Sequence, residues 1–388
     1  MCPVAFRTTT TAFGTSSGGS GALRGGPGPR ADMPEAWGGK VTRHLPAPDT
    51  RARVPDYQPI CRVIIKKFGF LGAARGEPVV KRLLGVEMGV DELRWALIVG
   101  DSIEQKGSTE TPRAGLLHAI DAVARTTRGH RPDRLGVAVP GDLNRTTGAV
   151  GEGSMNLVGP WAGYPLRDEL AYRVGCPTEI LNDARAFGHG ELAMGAAKGL
   201  ENVLFIMLHR GGVGGAYAFE GRILASPDDR LGEFGHLTVE PGGTSCPGCG
   251  GRGCLETFAS GQAIVRRFRT RSSWSPSGVT AVTDAAEDGD RIAREVLAES
   301  GHAVGVILNS LAAAFPAQAA VVGGDIASAV LPWMADEIRA VLAERPSCTF
   351  EPDLLPATLG VWGPAVGAAL TVPLPVRTEG PPHPPPEQ

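Results

Sequence analysis

From Arg82 onward, hydrophobic and polar positions take the textures of strand and helix by turns, the pattern of an α/β fold. Leu83 to Val90, Leu93 to Val99 and Leu135 to Val139 read as strands, with a helix near 111 to 126. Asn202 to Leu208 and Gly215 to Phe219 open a second set in the same style. The repetition predicts two lobes, residues 83–196 and 197–372. Upstream, residues 1–57 are rich in Gly, Pro, Ser, Thr and Arg and break every periodic pattern, so they are expected to be a disordered tail. Between them and the lobes, apolar residues at 60, 63, 64 and 68 follow helical spacing that Gly69 would end. Residues 373–388 read as an extended proline-rich tail.

A hydrophobic content of 42% over 388 residues suffices for the cores of two lobes. The net charge of -3 gives no global attraction to nucleic acid or membrane, although a local basic patch would be hidden in that average. No run approaches the roughly 20 apolar residues of a membrane span, and the N-terminus lacks the apolar stretch of a secretory signal. A cytoplasmic location, with no membrane partner, is expected.

Three of the seven cysteines, Cys246, Cys249 and Cys254, crowd into nine residues, and Gly235-His236 precedes them. One imidazole and three thiolates supply the four soft donors of a closed, structural Zn²⁺ site. Gly250, Gly251 and Gly253 suit a backbone that must turn sharply around a metal. The plainer alternative is a buried, unligated cysteine cluster in a turn; the upstream histidine and the glycines favour zinc.

These residues resemble the ROK family of repressors, uncharacterised reading frames and sugar kinases. Its motif is Glu-x-Gly-His, then a cysteine cluster ending in Gly-Cys-x-x-Glu or the close variant Gly-Cys-x-Glu; here it stands as Glu233-Phe234-Gly235-His236, Cys246, Cys249 and Gly253-Cys254-Leu255-Glu256. The likeness covers about residues 83 to 372. One departure is the two residues between Cys246 and Cys249, where the family usually has one. The resemblance implies an actin-like, two-lobed sugar-kinase fold, a homodimer or homotetramer, and a hexose or aminosugar ligand. It also implies that Glu233, His236 and Glu256 approach sugar hydroxyls from one lobe, and Asn156, Asn182 and Asp183 from the other. Carboxylates suit that task because each can accept from vicinal hydroxyls. Zinc, by fixing His236, would also hold Glu233. Asp183 matches the kinase base; the alternative is that Asn182 or Asp183 caps the helix beginning near Ala184, and the two roles are compatible.

The phosphate loops depart further from the family. Its kinases end the first strand in Asp-x-Gly-Gly-Thr, whereas this chain has Glu87-Met88-Gly89-Val90-Asp91 and retains only Gly89 unchanged. Asp91 brings a negative charge to a place where a triphosphate would sit. At about 5 Å and an effective dielectric of about 20, two unit charges repel by about 3 kcal/mol, or about two decades of affinity. Bound Mg²⁺ or Arg210 would offset that. The second loop, Arg210-Gly211-Gly212-Val213-Gly214-Gly215, keeps Gly212, Gly214 and Gly215 but lacks the family's threonine. The third, with Gly323, Gly324 and Asp325, is intact. Glycine strings also suit plain turns.

Regulators of the family carry an N-terminal winged helix, and residues 58–82 resemble its recognition helix and wing, with no amphipathic partners upstream. The first loop therefore favours a sugar-responsive transcriptional regulator without efficient turnover, for which operator DNA would be the partner. The alternative is an ATP-dependent hexose or aminosugar kinase, using MgATP and Asp183.

Overall fold

The structure, a computed structural model, describes residues 81–113, 115–151, 162–227, 229–344 and 351–371. The tails at 1–57 and 373–388, nearly all of the winged-helix segment, and Asn156 lie outside them. The chain runs β1 (Arg82–Met88), β2 (Glu92–Val99), β3 (Ser102–Glu110), α1 (Leu116–His130), β4 (Arg134–Val139), β5 (Leu143–Asn144), β6 (Ala149–Val150), α2 (Leu166–Val174), β7 (Thr178–Asn182) and α3 (Asp183–Met194). It continues through β8 (Val203–Leu208), β9 (Val213–Phe219), β10 (Arg222–Ile223), α4 (Glu256–Ala259), α5 (Gly261–Arg269), α6 (Val279–Glu287), α7 (Arg291–Ala314), β11 (Ala319–Gly323), α8 (Ala327–Ala343), β12 (Asp353–Pro356) and α9 (Gly363–Thr371).

Two five-stranded sheets share one plan. Their orders are β3-β2-β1-β4-β7 and β10-β9-β8-β11-β12. Each begins with an antiparallel meander and continues with parallel strands. This repeated plan is the two-lobed, actin-like α/β architecture expected from the alternating pattern. The central strands are buried along their length, as parallel strands covered on both faces must be.

The C-terminal α9 packs on β1, β2 and β4 of the first sheet and on α3. Close approach makes this possible. A side chain at Gly85 of β1 would fall 1.7 Å from the Ala365 carbonyl oxygen, and one at Gly136 of β4 would fall 1.8 Å from that of Ala368. Ala365, Val366, Ala368 and Ala369 are buried there. The second lobe's core gathers α5 to α8 against β8 and β11. Among the described helices, α7 is the one long and apolar enough to cross a membrane. Its apolar positions, including Val296, Leu297, Val304 and Leu308, belong to this protein core.

Two local expectations are adjusted. The first helix starts at Leu116 rather than near 111, because Thr111 is tied to the first loop: its amide donates to the Asp91 carbonyl (2.9 Å) and its hydroxyl to that of Gly89 (2.7 Å). β3, whose residues are mostly exposed, is not evident from hydrophobic pattern.

Candidate functional site: a four-donor knuckle and the carboxylates beside it

The segment after β10 returns to β9 through a short 3-10 turn at Phe234–His236. Phe234 packs on Gly215, where a side chain would come within 2.3 Å of its ring, and Gly235 lies against the Val213 carbonyl. This places Glu233 and His236 at the end of β9. The cysteine segment folds back by isolated bridges between Thr238 and Cys254 and between Ser245 and Arg252. Cys246 N–H donates to Gly251 O (2.7 Å) and Gly250 N–H to Cys246 O (2.9 Å). Gly250 and Gly253 adopt φ of 74° and 71°, the left-handed turns that the loop requires.

The donor atoms of His236, Cys246, Cys249 and Cys254 all lie within 4.8 Å of one another. Cys246 Sγ is 3.7 Å from His236 Nδ1, and Cys249 Sγ is 3.6 Å from Cys254 Sγ. Tetrahedral zinc with Zn–S of about 2.3 Å and Zn–N of about 2.0 Å spaces its donors about 3.5 to 3.8 Å apart, so these residues fit that ion. The 3.6 Å separation is far too long for a disulfide, which needs about 2 Å. Burial foremost, with the Glu256 charge and the Cys249 hydrogen bond adding to it and the Cys249 and Gly248 backbone opposing, pushes the Cys246 thiol up to about 12, so near neutral pH a bound cation would be needed to make it a thiolate ligand.

Two carboxylates, Glu233 and Glu256, lie against the knuckle. While His236 Nδ1 faces Cys246, its Nε2 lies 3.7 Å from Glu233 Oε2. Packing around Glu233 pushes its pKa up; the charges of His236 and Arg185 hold it down, and those of Asp142 and Asp183 add to the rise. Glu256 opens α4 and accepts from the Cys246 thiol at Oε1 (3.4 Å) and from Val213 N–H at Oε2 (3.4 Å). Side chains at Gly212 or Gly248 would meet the Glu256 carboxylate at 2.9 and 2.7 Å. Glu256 thus joins the four-donor knuckle to the second glycine loop.

On the facing element, Asn182 caps α3: its Oδ1 accepts from Ala184 N–H (2.9 Å) and Arg185 N–H (3.3 Å). Asn182 Nδ2 donates to Gly141 O (3.3 Å), and its amide to Asp229 Oδ2 (3.1 Å). Asp183, in the first helical turn, is half-buried and accepts from Ala184 N–H at 2.8 Å. Burial pushes its carboxyl above the usual range, opposed by the His209 imidazole, the Ala184 N–H and Arg185. Arg185 and Asp229 form a buried ion pair beneath Asn182, and Arg185 also donates to Leu231 O (2.8 Å). This pair is not apparent in the sequence, where its only signal is Arg185 directly after Asn182-Asp183-Ala184. Glu191, which follows the same motif, is buried and accepts from the amides of Ala196, Thr358 and Leu359, which makes it a structural tie.

The three loops meet as a charged cluster. Asp91 Oδ2 lies 2.6 Å from Arg210 Nη1, so the charge that weakened the first loop is answered. Arg210 N–H and His209 Nδ1 both approach Asp325 Oδ1, at 3.0 and 3.5 Å. His209 Nε2 is buried with no hydrogen-bond partner among the described residues. Glu87, 2% exposed, pairs with Arg94 at 3.4 Å, and burial raises its pKa. The glycines also have packing reasons: a side chain at Gly214 would lie 2.7 Å from Ala184 Cβ, one at Gly323 2.6 Å from Phe187, and Gly324 has φ of 109°. A side chain at Gly89 would meet the Glu92 carbonyl at 2.5 Å.

The family model for the ROK family matches residues 83–373, and the chain belongs to that family. A glucokinase from Thermotoga maritima is 31% identical over 267 residues, spanning 64% of this chain and 83% of that protein. Among solved structures, a ROK family glucokinase from Streptomyces griseus in complex with glucose and AMPPNP is 28% identical. It covers 75% of this chain and 99% of its own, with a TM-score of 0.66. A ROK family transcriptional regulator, homologous to the MLC protein of E. coli, is 22% identical, covers 75% and 78%, and has a TM-score of 0.64; it shows the shared fold alone. The more similar proteins are therefore named as kinases, which does not support the preference for a regulator without turnover that the first loop suggested.

Proposed function

We propose that this protein is an ATP-dependent sugar kinase that transfers a phosphoryl group from MgATP to a hydroxyl of a hexose or aminosugar. The observation that carries this reading is the division of labour at the start of α3. Asn182 Oδ1 takes both cap amides, Ala184 and Arg185, while Asp183 accepts from Ala184 N–H through Oδ1 alone and would keep Oδ2 to act as the base. A sugar hydroxyl would donate to Asp183 as its oxygen attacks the transferring phosphoryl group in line. Glu233, Glu256 and His236 would hold the other hydroxyls, joined by Asn182 and by Asn156. His236, Cys246, Cys249 and Cys254 would hold zinc, whose contribution is structural because four donors leave no place for water. Gly89, Gly212, Gly214, Gly215, Gly323 and Gly324 would line the nucleotide side. Asp91 favours a second reading, a sugar sensor without turnover, but its pairing with Arg210 removes most of that objection.

A coupled assay of ADP release across a panel of hexoses and N-acetylhexosamines tests the reading. Sugar-dependent turnover is expected; saturable sugar binding by calorimetry with no ADP would support the sensor instead. Glu256→Gln keeps the side chain's shape but removes its charge, and is expected to weaken sugar binding about ten- to a hundredfold, as charged hydrogen bonds of about 1.5 to 3 kcal/mol imply. Zinc content should be unchanged; equal affinity in the variant would remove Glu256 from the pocket.

The base must be ionised to accept a proton. Because burial raises the Asp183 pKa, kcat should fall on the acid side as pH drops through a value above the ordinary aspartate pKa of about 3.9. His209 lowers that pKa, so His209→Gln should move this acid limb to higher pH. A kcat profile with its limb unmoved would show that the imidazole does not act on Asp183.

A further inference from the structure

The two positions at which the phosphate loops depart most sharply from the family pattern face each other. Asp91 stands where the first loop would carry threonine, and Arg210 stands where the second would carry glycine. Their side chains meet at 2.6 Å although they lie 119 positions apart along the chain. We infer that Arg210 is the residue that grips the phosphate chain of the nucleotide, and that Asp91 holds its guanidinium in place until a triphosphate takes it over. This rests on the kinase reading, which sets the nucleotide between these loops.

The backbone at both positions is held by hydrogen bonds, while the side chains reach into solvent. Arg210 N–H donates to Asp325 Oδ1 at 3.0 Å, and the Asp91 carbonyl accepts from Thr111 N–H at 2.9 Å. The Arg210 and Asp91 side chains are 62% and 43% exposed, so the pair is solvated and weakly held. One carboxylate oxygen contacts one guanidinium nitrogen, leaving the rest of the fork open. A polyphosphate offers several oxygens and more charge to that planar fork, and would displace a single carboxylate. Other cations are already engaged: Arg94 pairs with Glu87 at 3.4 Å and with Glu92 at 3.0 Å. Within 87–92, 209–215 and 323–326 the basic residues are Arg210 and His209. His209 turns toward Asp325.

The test measures MgATP and tripolyphosphate affinity by calorimetry without sugar, for the wild-type chain, Arg210→Gly, Asp91→Thr and Arg210→Lys, with turnover followed in parallel. Arg210→Gly should weaken both probes by about ten- to a hundredfold, the range of one charge-assisted contact. Asp91→Thr should tighten both by about three- to tenfold, the modest effect of one exposed, screened charge. Arg210→Lys should recover part of the loss. Opposite signs for the two single variants are the decisive result. If both weaken binding equally, the pair is only a tether between the loops, and the inference is overturned. Unchanged affinities, or no binding of either probe by the wild-type chain, overturn it as well. Sugar turnover with unchanged affinities would leave the kinase reading standing without this inference, whereas opposite shifts without turnover would do the reverse.

Discussion

Removal of the proposed zinc by a strong chelator is expected to weaken sugar binding by about a hundredfold or more, beyond the usual effect of losing one partner of a metal ligand. The reason lies in the chain of contacts. His236 faces Cys246 Sγ through Nδ1 and Glu233 through Nε2, and Glu256 touches the same sulfur. Without the cation, the buried Cys246 returns to a neutral thiol, the imidazole loses its anchor, and Glu233, which faces that imidazole and is proposed to hold the sugar, loses its fixed position. The sheets should survive, because the core of β8, β11, α7 and α8 does not include the knuckle's four donors. Titrating metal content against sugar affinity, with circular dichroism as a control, checks this. Undiminished affinity in metal-free protein would separate the knuckle from the pocket.

Asp183→Asn should lower kcat by about a hundred- to ten-thousandfold, the range for a general base, while sugar affinity changes only a few-fold. The substitution keeps an oxygen able to accept from Ala184 N–H, and the helix cap resides on Asn182, so the fold should be spared. Asn182→Ala gives the contrast: loss of the cap costs about 1 kcal/mol of stability. Parallel melting, binding and rate measurements distinguish them. A kcat loss in Asp183→Asn matched by an equal loss of sugar binding would make Asp183 a ligand rather than a base.

The elements whose apolar clusters are continuous, such as Leu135 to Val139 and Val203 to Leu208, are legible in the amino-acid pattern because buried central strands need such runs. β3 is not, since Ser102–Glu110 lies at the sheet edge and presents mostly exposed polar residues. The knuckle is legible because soft ligands so close along the chain have few other uses. The Arg185–Asp229 pair is not, because its partners lie 44 positions apart and neither belongs to a recognisable spacing. Arg210 illustrates the boundary: as a single residue it suggests an offset to the charge of Asp91, yet only the folded loops bring the two together.

At the centre stands the proposed transfer of a phosphoryl group onto a sugar. Phosphorus-31 NMR of the protein with MgATP and each responding sugar tests it most directly. The predicted result is a sugar phosphomonoester signal growing in step with ADP and absent in Asp183→Asn. A spectrum in which ATP persists beside bound sugar, or yields only inorganic phosphate, would contradict it.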